Sequence, residues 1–173
     1  MVRKKFAGRS RAKSAEGLEG TGFGGFRLES SSAMRVMASE AELQLTKASM
    51  VFGLRHLGSA VLHARRAHAE KTNRARDLRT EFLLCLTGQR QVGDALKAAG
   101  LGTGREEVVA VHFGGPQKLL GIAAREGWER DDSLIEADVH DLRGAGFTAE
   151  EIATAIDPLL LPLERTALLT VQR

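Results

Sequence analysis

The chain has 173 residues, a net charge of +3 and an apolar fraction of 43%, values that fit one soluble domain with a short extension. Its apolar runs are far shorter than the ~20 residues needed to cross a bilayer, which excludes a transmembrane helix and a membrane partner. The first 13 residues are basic and lack the apolar stretch of a secretory signal. Since the one cysteine, Cys85, cannot form an internal disulfide, we expect a reducing, cytoplasmic location.

Charge is distributed unevenly along the chain. Residues 1–14 contain six Lys or Arg and no acid, and residues 55–79 contain seven Lys or Arg and two acids. Residues 126–164 contain eleven Asp or Glu and two Arg. One part of the chain therefore has the charge of a polyanion-binding surface and another is strongly acidic, although solvated charged faces explain such runs equally well.

Residues 1–22 are rich in Gly, Ser, Arg and Lys and have almost no periodic apolar signal, which predicts a disordered basic tail. Such a tail either grips RNA or is an extension without a role, and its composition does not favour one over the other. The folded domain is then predicted to cover residues 23–173.

Three segments predict strands. GGFRLES alternates Phe26 and Leu28 with charged residues, LQLTKASMVFG is a short apolar run closed by Gly53, and EVVAVHF is β-branched and bounded by glycines. AMRVMASEAEL is ambiguous, since Ser39 and Glu42 have the spacing of a capping box but no clear helical stripe follows. DDSLIEAD fits either a strand or a turn.

Helices are predicted between and after these strands. Apolar residues recur at helical spacing over residues 56–71, and a second helix is predicted to begin at Asn73 and to end at Gly88. A third helix covers residues 92–99 and is predicted to end at Gly100 through the same left-handed glycine conformation.

The C-terminal third adds shorter helices. One covers residues 118–125, another begins at Thr148 with Glu151 as its capping-box partner, and the last has Pro162 in its first turn. Strands separated by a majority of helices predict a mixed α/β fold, a single layered domain with a small central β-sheet flanked by helices.

No arrangement of residues in the chain indicates an active site. The glycine cluster GLGTG follows a helix and precedes a strand, which is the reverse of a nucleotide-binding loop. The five histidines lack the spacing of metal ligands, and Cys85 lies among leucines, which does not activate a thiol. We therefore expect a non-enzymatic binding protein with no catalytic residue, cofactor or metal.

Two segments have the character of binding surfaces. Basic side chains cluster around the connection between the first two helices and continue into the third, and several of them together can neutralise phosphates. The candidate RNA-binding residues are Arg65, Arg66, Lys71, Arg74, Arg76, Arg79, Arg90 and Lys97. The C-terminal PLLLPLERTALLTV is apolar enough either to complete the core or to present a partner surface.

Five segments in series resemble the small kinase-binding subunit of the KEOPS complex. They are KASMVFGLRHLGSAVLHARRA, EFLLCLTGQRQVGDALKAAG, VVAVHF, DDSLI and LERTALL, and the resemblance covers roughly residues 24–171. It implies a non-enzymatic mixed α/β protein that binds the N-lobe of a small atypical kinase/ATPase. That complex makes threonylcarbamoyladenosine on tRNA, and the resemblance implies that this subunit helps to recruit tRNA through its 3′ end.

The resemblance also implies which surface meets the kinase. In relatives the C-terminal helix and neighbouring apolar residues face the kinase, which on this chain designates Ile152, Ile156, Leu163, Ala167, Leu168 and Val171. Other KEOPS subunits are expected to be indirect partners. Two alternatives stay open, a basic RNA-binding module that acts alone and a small nucleotide-binding enzyme that uses the glycine clusters.

Overall fold

A four-stranded antiparallel sheet organises the chain in the computed structural model, which describes residues 18–136 and 142–171. The strands are β1 (Gly22–Glu29), β2 (Leu43–Lys47), β3 (Arg105–His112) and β4 (Glu129–Arg130), in the order β2-β3-β1-β4. β1 and β3 pair over their full length, from Gly22 opposite His112 to Glu29 opposite Arg105. The best-patterned strand of the sequence, β3, is therefore central.

Helices occupy most of the remaining described residues. They are α1 (Ser30–Ser39), α2 (Gly53–Ala69), α3 (Leu78–Thr87), α4 (Val92–Ala99), α5 (Pro116–Glu126), α6 (Ala149–Thr154) and α7 (Leu161–Val171). Short 3₁₀ turns form at Ala48–Met50, Asp132–Ile135 and Pro158–Leu160.

The helices cover both faces of the sheet because β3 is apolar on both sides. Val109 and Val111 pack against α2, α3, α4 and α7, whereas Val108 and Ala110 pack against α1 and α5. A smaller cluster of Phe52, Leu142 and Phe147 lies beneath α6 and the start of α7. The predicted mixed α/β fold, a central sheet flanked by helices, is confirmed.

Several local predictions are confirmed. Gly88 ends α3 in the left-handed conformation with φ 68°, which suits a residue without a Cβ. At the start of α6, Thr148 accepts a hydrogen bond from the amide of Glu151, and the Glu151 carboxylate accepts one from the amide of Thr148. Pro162 lies in the first turn of α7.

One segment that the sequence left open forms a helix, and one predicted helix cap is wrong. The ambiguous AMRVMAS forms α1, and Ser39 ends this helix by donating to the carbonyl of Val36 rather than opening a new one. The N-cap of α3 is Asp77, which accepts from the amide of Thr80, while Asn73 bonds the carbonyl of Ala75 within the preceding loop.

Two further boundaries differ from the sequence prediction. Gly100 follows α4 with φ −68° and ψ 152°, an extended conformation and not the left-handed one. The strand predicted through residue 51 ends at Lys47, where a 3₁₀ turn begins. DDSLIEAD forms the 3₁₀ turn at Asp132–Ile135, and residues 137 and 138 lie outside the described residues.

Most of the predicted tail, residues 1–17, lies outside the described part of the chain. Its last residues belong to the folded unit, since Leu18 packs against the cluster on the α2 face of the sheet. No helix in residues 18–136 and 142–171 is both long and apolar enough to cross a membrane.

The outer edge of β2 is occupied by side chains. The amide of Leu45 donates to Met37 Sδ at 3.4 Å, and its carbonyl accepts from Gln44 Nε2 at 2.7 Å. The amide of Leu43 donates to the carbonyl of Glu40 at 3.1 Å, and its carbonyl accepts from Arg79 Nη1 at 3.3 Å. The main-chain groups that a further strand would pair with are thus already bonded at these two residues.

Candidate functional site

The final helix, α7, has one buried side. Leu169 is buried in the main core, and the hydroxyl of Thr166 donates to the carbonyl of Cys85 at 2.8 Å. Pro162 is buried one turn before Thr166. The spacing of four and three residues places these side chains on one face, so that α7 rests on α2 and α3.

The other side of α7 is apolar and exposed. Leu168 is 55% exposed and Val171 is 81% exposed, and Ala167 lies beside them at the surface. Leu163 is half-buried at the start of the helix. The sequence left open whether this helix is core or a partner surface, and in the structure one face is buried in the core while the other is exposed.

The two isoleucines of the predicted kinase-binding set have different surroundings. Ile152 of α6 is half-buried and packs against the cluster of Phe52, Leu142 and Phe147. Ile156 lies after α6 and is fully exposed. Ile156 is therefore available to a partner as it stands, whereas Ile152 also belongs to the packing under α6.

A groove of about 280 Å³ lies beside Leu168, and Arg165 is one of its four charged lining residues, with Arg90, Glu151 and Glu164. The guanidinium of Arg165 lies 3.5 Å from the ring centre of Phe147 and donates to the carbonyl of Ala145 at 2.8 Å. Its aliphatic stem crosses Gly88, where any Cβ would overlap it. Burial lowers the pKa of Arg165 from its ordinary value.

Sequence reasoning did not select Arg165 or Phe147. The one available signal is that Arg165 is the sole basic residue in the apolar PLLLPLERTALLTV. Arg90, assigned to RNA from its charge, lines the same groove as Leu168. The fold thus brings one residue of the predicted RNA-binding set next to the predicted kinase-binding helix.

The cations at the end of α2 have nearby partners. Arg66 Nε lies 2.8 Å from Glu70 Oε1, an exposed pair spaced by four residues. Arg65 Nη1 donates to the carbonyl of Glu19 at 3.0 Å. Lys71 follows the helix with φ 55°, the one positive φ among the non-glycine residues that the structure describes.

Arg74 and Arg79 point toward the protein. Arg74 Nη2 donates to the carbonyl of Leu169 in the last turn of α7 at 3.3 Å. Arg79 Nη1 lies 2.9 Å from the carbonyl of Met37 and 3.3 Å from that of Glu40, at the end of α1. Cations at helix C-termini interact favourably with the helix dipole, so both guanidinium groups stabilise the fold.

Arg76 and Lys97 are exposed cations of the predicted RNA-binding set. Arg76 lies in the loop between α2 and α3, and Lys97 lies on α4 at 4.0 Å from Asp94. From the sequence, all eight cations were predicted to bind RNA. The structure distinguishes those at the surface, including Arg66, Lys71, Arg76 and Lys97, from those that bind main-chain carbonyls.

Glu81 fixes the loop that carries Arg76. This carboxylate is fully buried and accepts hydrogen bonds from the amides of Arg74 at 2.7 Å and Ala75 at 2.8 Å. In the sequence, Glu81 is the one acid of the apolar segment that forms α3. Buried acids require such partners, which was the available signal for a structural role.

His56 illustrates why a histidine in an apolar stripe need not be a ligand. The amide of Phe52 donates to Nδ1 at 3.2 Å, which leaves the proton on Nε2, 3.0 Å from the carbonyl of Leu86. Burial lowers the pKa of His56 to about 4. Within the described ranges, no three His, Cys, Asp or Glu side chains are grouped so that they could hold a metal ion.

The glycine clusters have packing roles in the structure. The amide of Gly102 donates to Glu106 Oε1 at 3.0 Å, so a carboxylate of the chain itself already occupies the GLGTG turn. In β1, a Cβ at Gly25 would overlap the carbonyl oxygen of Asp131, which follows β4. Because they have no side chain, these glycines permit close contact between elements of the fold.

The domain is mixed α/β and presents an exposed apolar helix face, a feature that is common at interaction sites. In a comparison with protein families, residues 28–157 match the family described as kinase binding protein CGI-121. The chain belongs to this family of kinase-binding proteins, which is the KEOPS subunit family that the sequence resembles. No curated protein matches the chain. The matched residues include the end of β1, the strands β2 to β4 and the helices α1 to α6, and α7 follows them.

Proposed function

We propose that the protein is the non-catalytic, kinase-binding subunit of a KEOPS-type complex, which makes threonylcarbamoyladenosine on tRNA. Membership of a kinase-binding family supports the first part of this proposal. The modification reaction and the role of tRNA come from the resemblance to KEOPS subunits. A cytoplasmic location belongs to the same proposal, since the one cysteine is a buried free thiol.

The exposed apolar face of α7 supports the assignment of this helix as the kinase-binding surface. Leu168 and Val171 are exposed on one face of the helix, whereas Thr166 and Leu169 are buried on the other face. Burying an aliphatic side chain of this size contributes about 1.5–3 kcal/mol, so two of them supply a substantial part of a protein interface. Ile156 extends the available apolar surface beyond the helix itself.

The exposed cations support a contact with the tRNA backbone. Arg66, Lys71, Arg76 and Lys97 are at the surface, and phosphate contacts by Lys and Arg need no base-specific geometry. In this proposal Arg74, Arg79 and Glu81 hold the loop and its surroundings in place. Recruitment through the 3′ end of tRNA rests on the resemblance.

The proposed mechanism is tethering. A subunit that holds the kinase at one surface and tRNA at another converts the second binding event into an intramolecular one. The effective concentration of tRNA near the modifying subunit then rises although this subunit performs no chemistry.

Co-purification with the KEOPS kinase/ATPase subunit of the same source tests the kinase surface. We expect the wild-type chain to retain the kinase and Leu168→Glu to lose it, because a charge would be buried at the interface. Leu120→Glu is the matched control, since Leu120 is 38% exposed on α5 across the sheet. Retention of the kinase by Leu168→Glu would show that α7 is not the docking face.

Binding of a tRNA transcript tests the second surface. Reversing the charge at Arg66, Lys71 and Arg76 is expected to weaken binding more than tenfold while the circular dichroism spectrum is unchanged. The nucleotide-enzyme alternative predicts ATP binding by the isolated chain, which calorimetry detects. A wild-type chain that binds tRNA but no kinase would favour the stand-alone RNA-binding alternative.

A further inference from the structure

The outer side of α7 carries a regular stripe of side chains. Its members follow one another by three, four and three residues, the spacing of the a and d positions of a heptad, and they are Leu161, Glu164, Leu168 and Val171. Glu164, Leu168 and Val171 are exposed, and Leu161 is half-buried at the start of the helix. The stripe extends about 15 Å along the helix axis.

The inner side of the same helix shows what covers a stripe of this kind. Pro162, Thr166 and Leu169 repeat by four and three residues, are buried, and lie against the helices α2 and α3. On the outer side, Leu161 packs against the cluster of Phe52, Leu142 and Phe147. From Glu164 onward the outer stripe is exposed, so α7 has one face covered by helices and one face open to a partner.

The spacing of the outer stripe favours a helix as the element that covers it. Its side chains repeat about every 5 Å along the axis, and a partner helix has the same repeat, so the two stay in register. A strand presents side chains to one face about every 6.7 Å. Between Leu161 and Leu168 a strand would therefore move out of register by about 3 Å.

The groove beside the stripe provides room for side chains of such a helix. Leu161 and Leu168 line it from α7, and Phe147 lines it from the turn before α6. Arg165 lies between them, with its guanidinium 3.5 Å from the ring centre of Phe147. Apolar side chains of a helix that lies along the stripe can enter this groove in the manner of knobs into holes.

Glu164 adds a requirement for charge to this surface. Among the residues that the structure describes, none forms a salt bridge or a side-chain hydrogen bond with its carboxylate. A partner that covers the stripe takes this carboxylate out of water, which is unfavourable unless a cation pairs with it. The partner element therefore needs a Lys or Arg opposite Glu164, between apolar residues that meet Leu161 and Leu168.

We propose that the outer face of α7 binds an amphipathic α-helix of the kinase partner, with an apolar row along the groove and a Lys or Arg opposite Glu164. This inference rests on the proposed kinase-binding function and identifies the element that the kinase contributes. The outer stripe of a second copy of this chain contains Glu164 and no cation, so the stripe does not complement itself.

The affinity of the full-length chain for the KEOPS kinase/ATPase subunit of the same source, measured by calorimetry, tests the charge. Glu164→Lys is expected to weaken binding more than about tenfold, because two cations would then face each other. Glu29→Lys is the control, since Glu29 is exposed at the end of β1 and the substitution changes the net charge equally. Equal affinities of two variants with unchanged circular dichroism spectra overturn the assignment of a cation opposite Glu164.

Photo-crosslinking in the same complex tests the helix. With benzoylphenylalanine placed singly at Glu164, Leu168 and Val171, successive positions are expected to crosslink to kinase residues three or four apart in sequence. Reversing the kinase cation crosslinked from Glu164 is expected to restore binding of Glu164→Lys.

The outcomes separate this inference from the proposed function. Crosslinks two residues apart, crosslinks to loops or to a second copy of this chain, or failure of the charge reversal to restore binding overturn the helix with its cation, while a wild-type chain that retains the kinase leaves the proposed function intact. Failure of the wild-type chain to bind the kinase overturns both.

Discussion

The carboxylate of Glu81 and the backbone amide of Arg74 form a buried hydrogen bond of 2.7 Å across the connection between α2 and α3. The same carboxylate oxygen accepts a second amide, that of Ala75, at 2.8 Å. The side chain of Arg74 continues to the last turn of α7. One buried acid thus orders the loop that carries Arg76 and, through Arg74, the contact of that loop with the final helix.

Replacing Glu81 by Gln is expected to destabilise the protein by about 1–3 kcal/mol, because the two backbone amides then donate to a neutral amide oxygen instead of a carboxylate, and a buried NH₂ group takes the place of the other carboxylate oxygen. Urea denaturation followed by circular dichroism measures the loss. Glu150, exposed on α6, provides the control Glu150→Gln, which should stay within about 0.5 kcal/mol of wild type. Equal stabilities of the two variants would contradict a structural role for Glu81.

Substitutions of Arg79 and Arg76 are predicted to have different effects, although both residues were assigned to RNA binding by their charge. Arg79→Gln should cost about 2 kcal/mol or more in unfolding free energy, because charged donors to the carbonyls of Met37, Glu40 and Leu43 are lost. Arg76→Gln should leave stability within about 0.5 kcal/mol and weaken tRNA binding. Urea denaturation and tRNA titration compare the two variants. If Arg76→Gln were the less stable of the two, the structural role of Arg79 would be refuted.

Neighbouring leucines of α7 give a second matched pair. Leu169→Ala should lower the unfolding free energy by about 2–5 kcal/mol, since Leu169 is buried to 4% exposure in the core. Leu168→Ala should cost less than about 1 kcal/mol and act on kinase binding instead. Chemical denaturation of the two variants makes the comparison, and a large loss in Leu168→Ala would place that side chain in the core.

His56 makes stability depend on pH. Its pKa is lowered to about 4 by burial, so the unfolded chain binds the proton more tightly, and stability falls as pH falls from about 6.5 toward 4. The full effect is about 3 kcal/mol. His56→Gln should lower the unfolding free energy at pH 7. Between pH 7 and pH 4 the variant should then lose less unfolding free energy than the wild-type protein does. Parallel pH profiles for wild type and variant would show that His56 does not contribute.

Two glycines are expected to respond oppositely to alanine. Gly88→Ala should destabilise by at least about 1 kcal/mol, because φ is 68° and the new Cβ overlaps the stem of Arg165. Gly121 lies in α5 with open space around its Cα, so Gly121→Ala should stabilise by about 0.5–1 kcal/mol. Thermal unfolding measures both shifts, and a stabilised Gly88→Ala would rule out the strain argument.

Elements with strong local signals were predictable from the sequence. β3 is a continuous β-branched run, and the capping box of Thr148 and Glu151 is formed by residues three apart, so neither depends on distant partners. The helix α1 was not predictable because its buried stripe contains only Ser30, Ala33 and Val36, which gives a weak apolar period.

The residue types of the candidate surfaces could be predicted from the sequence, but which of their side chains face the solvent could not. Charge alone placed Arg74 and Arg79 with Arg76, because the carbonyls that bind them belong to α7 and α1, distant in sequence. Likewise, the apolar C-terminus did not show which leucines face the core. That distinction follows from the packing of α7 on α2 and α3, which buries Leu169 and leaves Leu168 outside.

The bonded edge of β2 limits how the molecule can associate with others. Because the main-chain groups of Leu43 and Leu45 are already paired with Glu40, Arg79, Met37 and Gln44, a strand from another molecule finds no free ladder there. At this edge the sheet therefore cannot be extended by a strand from another molecule, and a partner that approaches β2 has to bind through side chains.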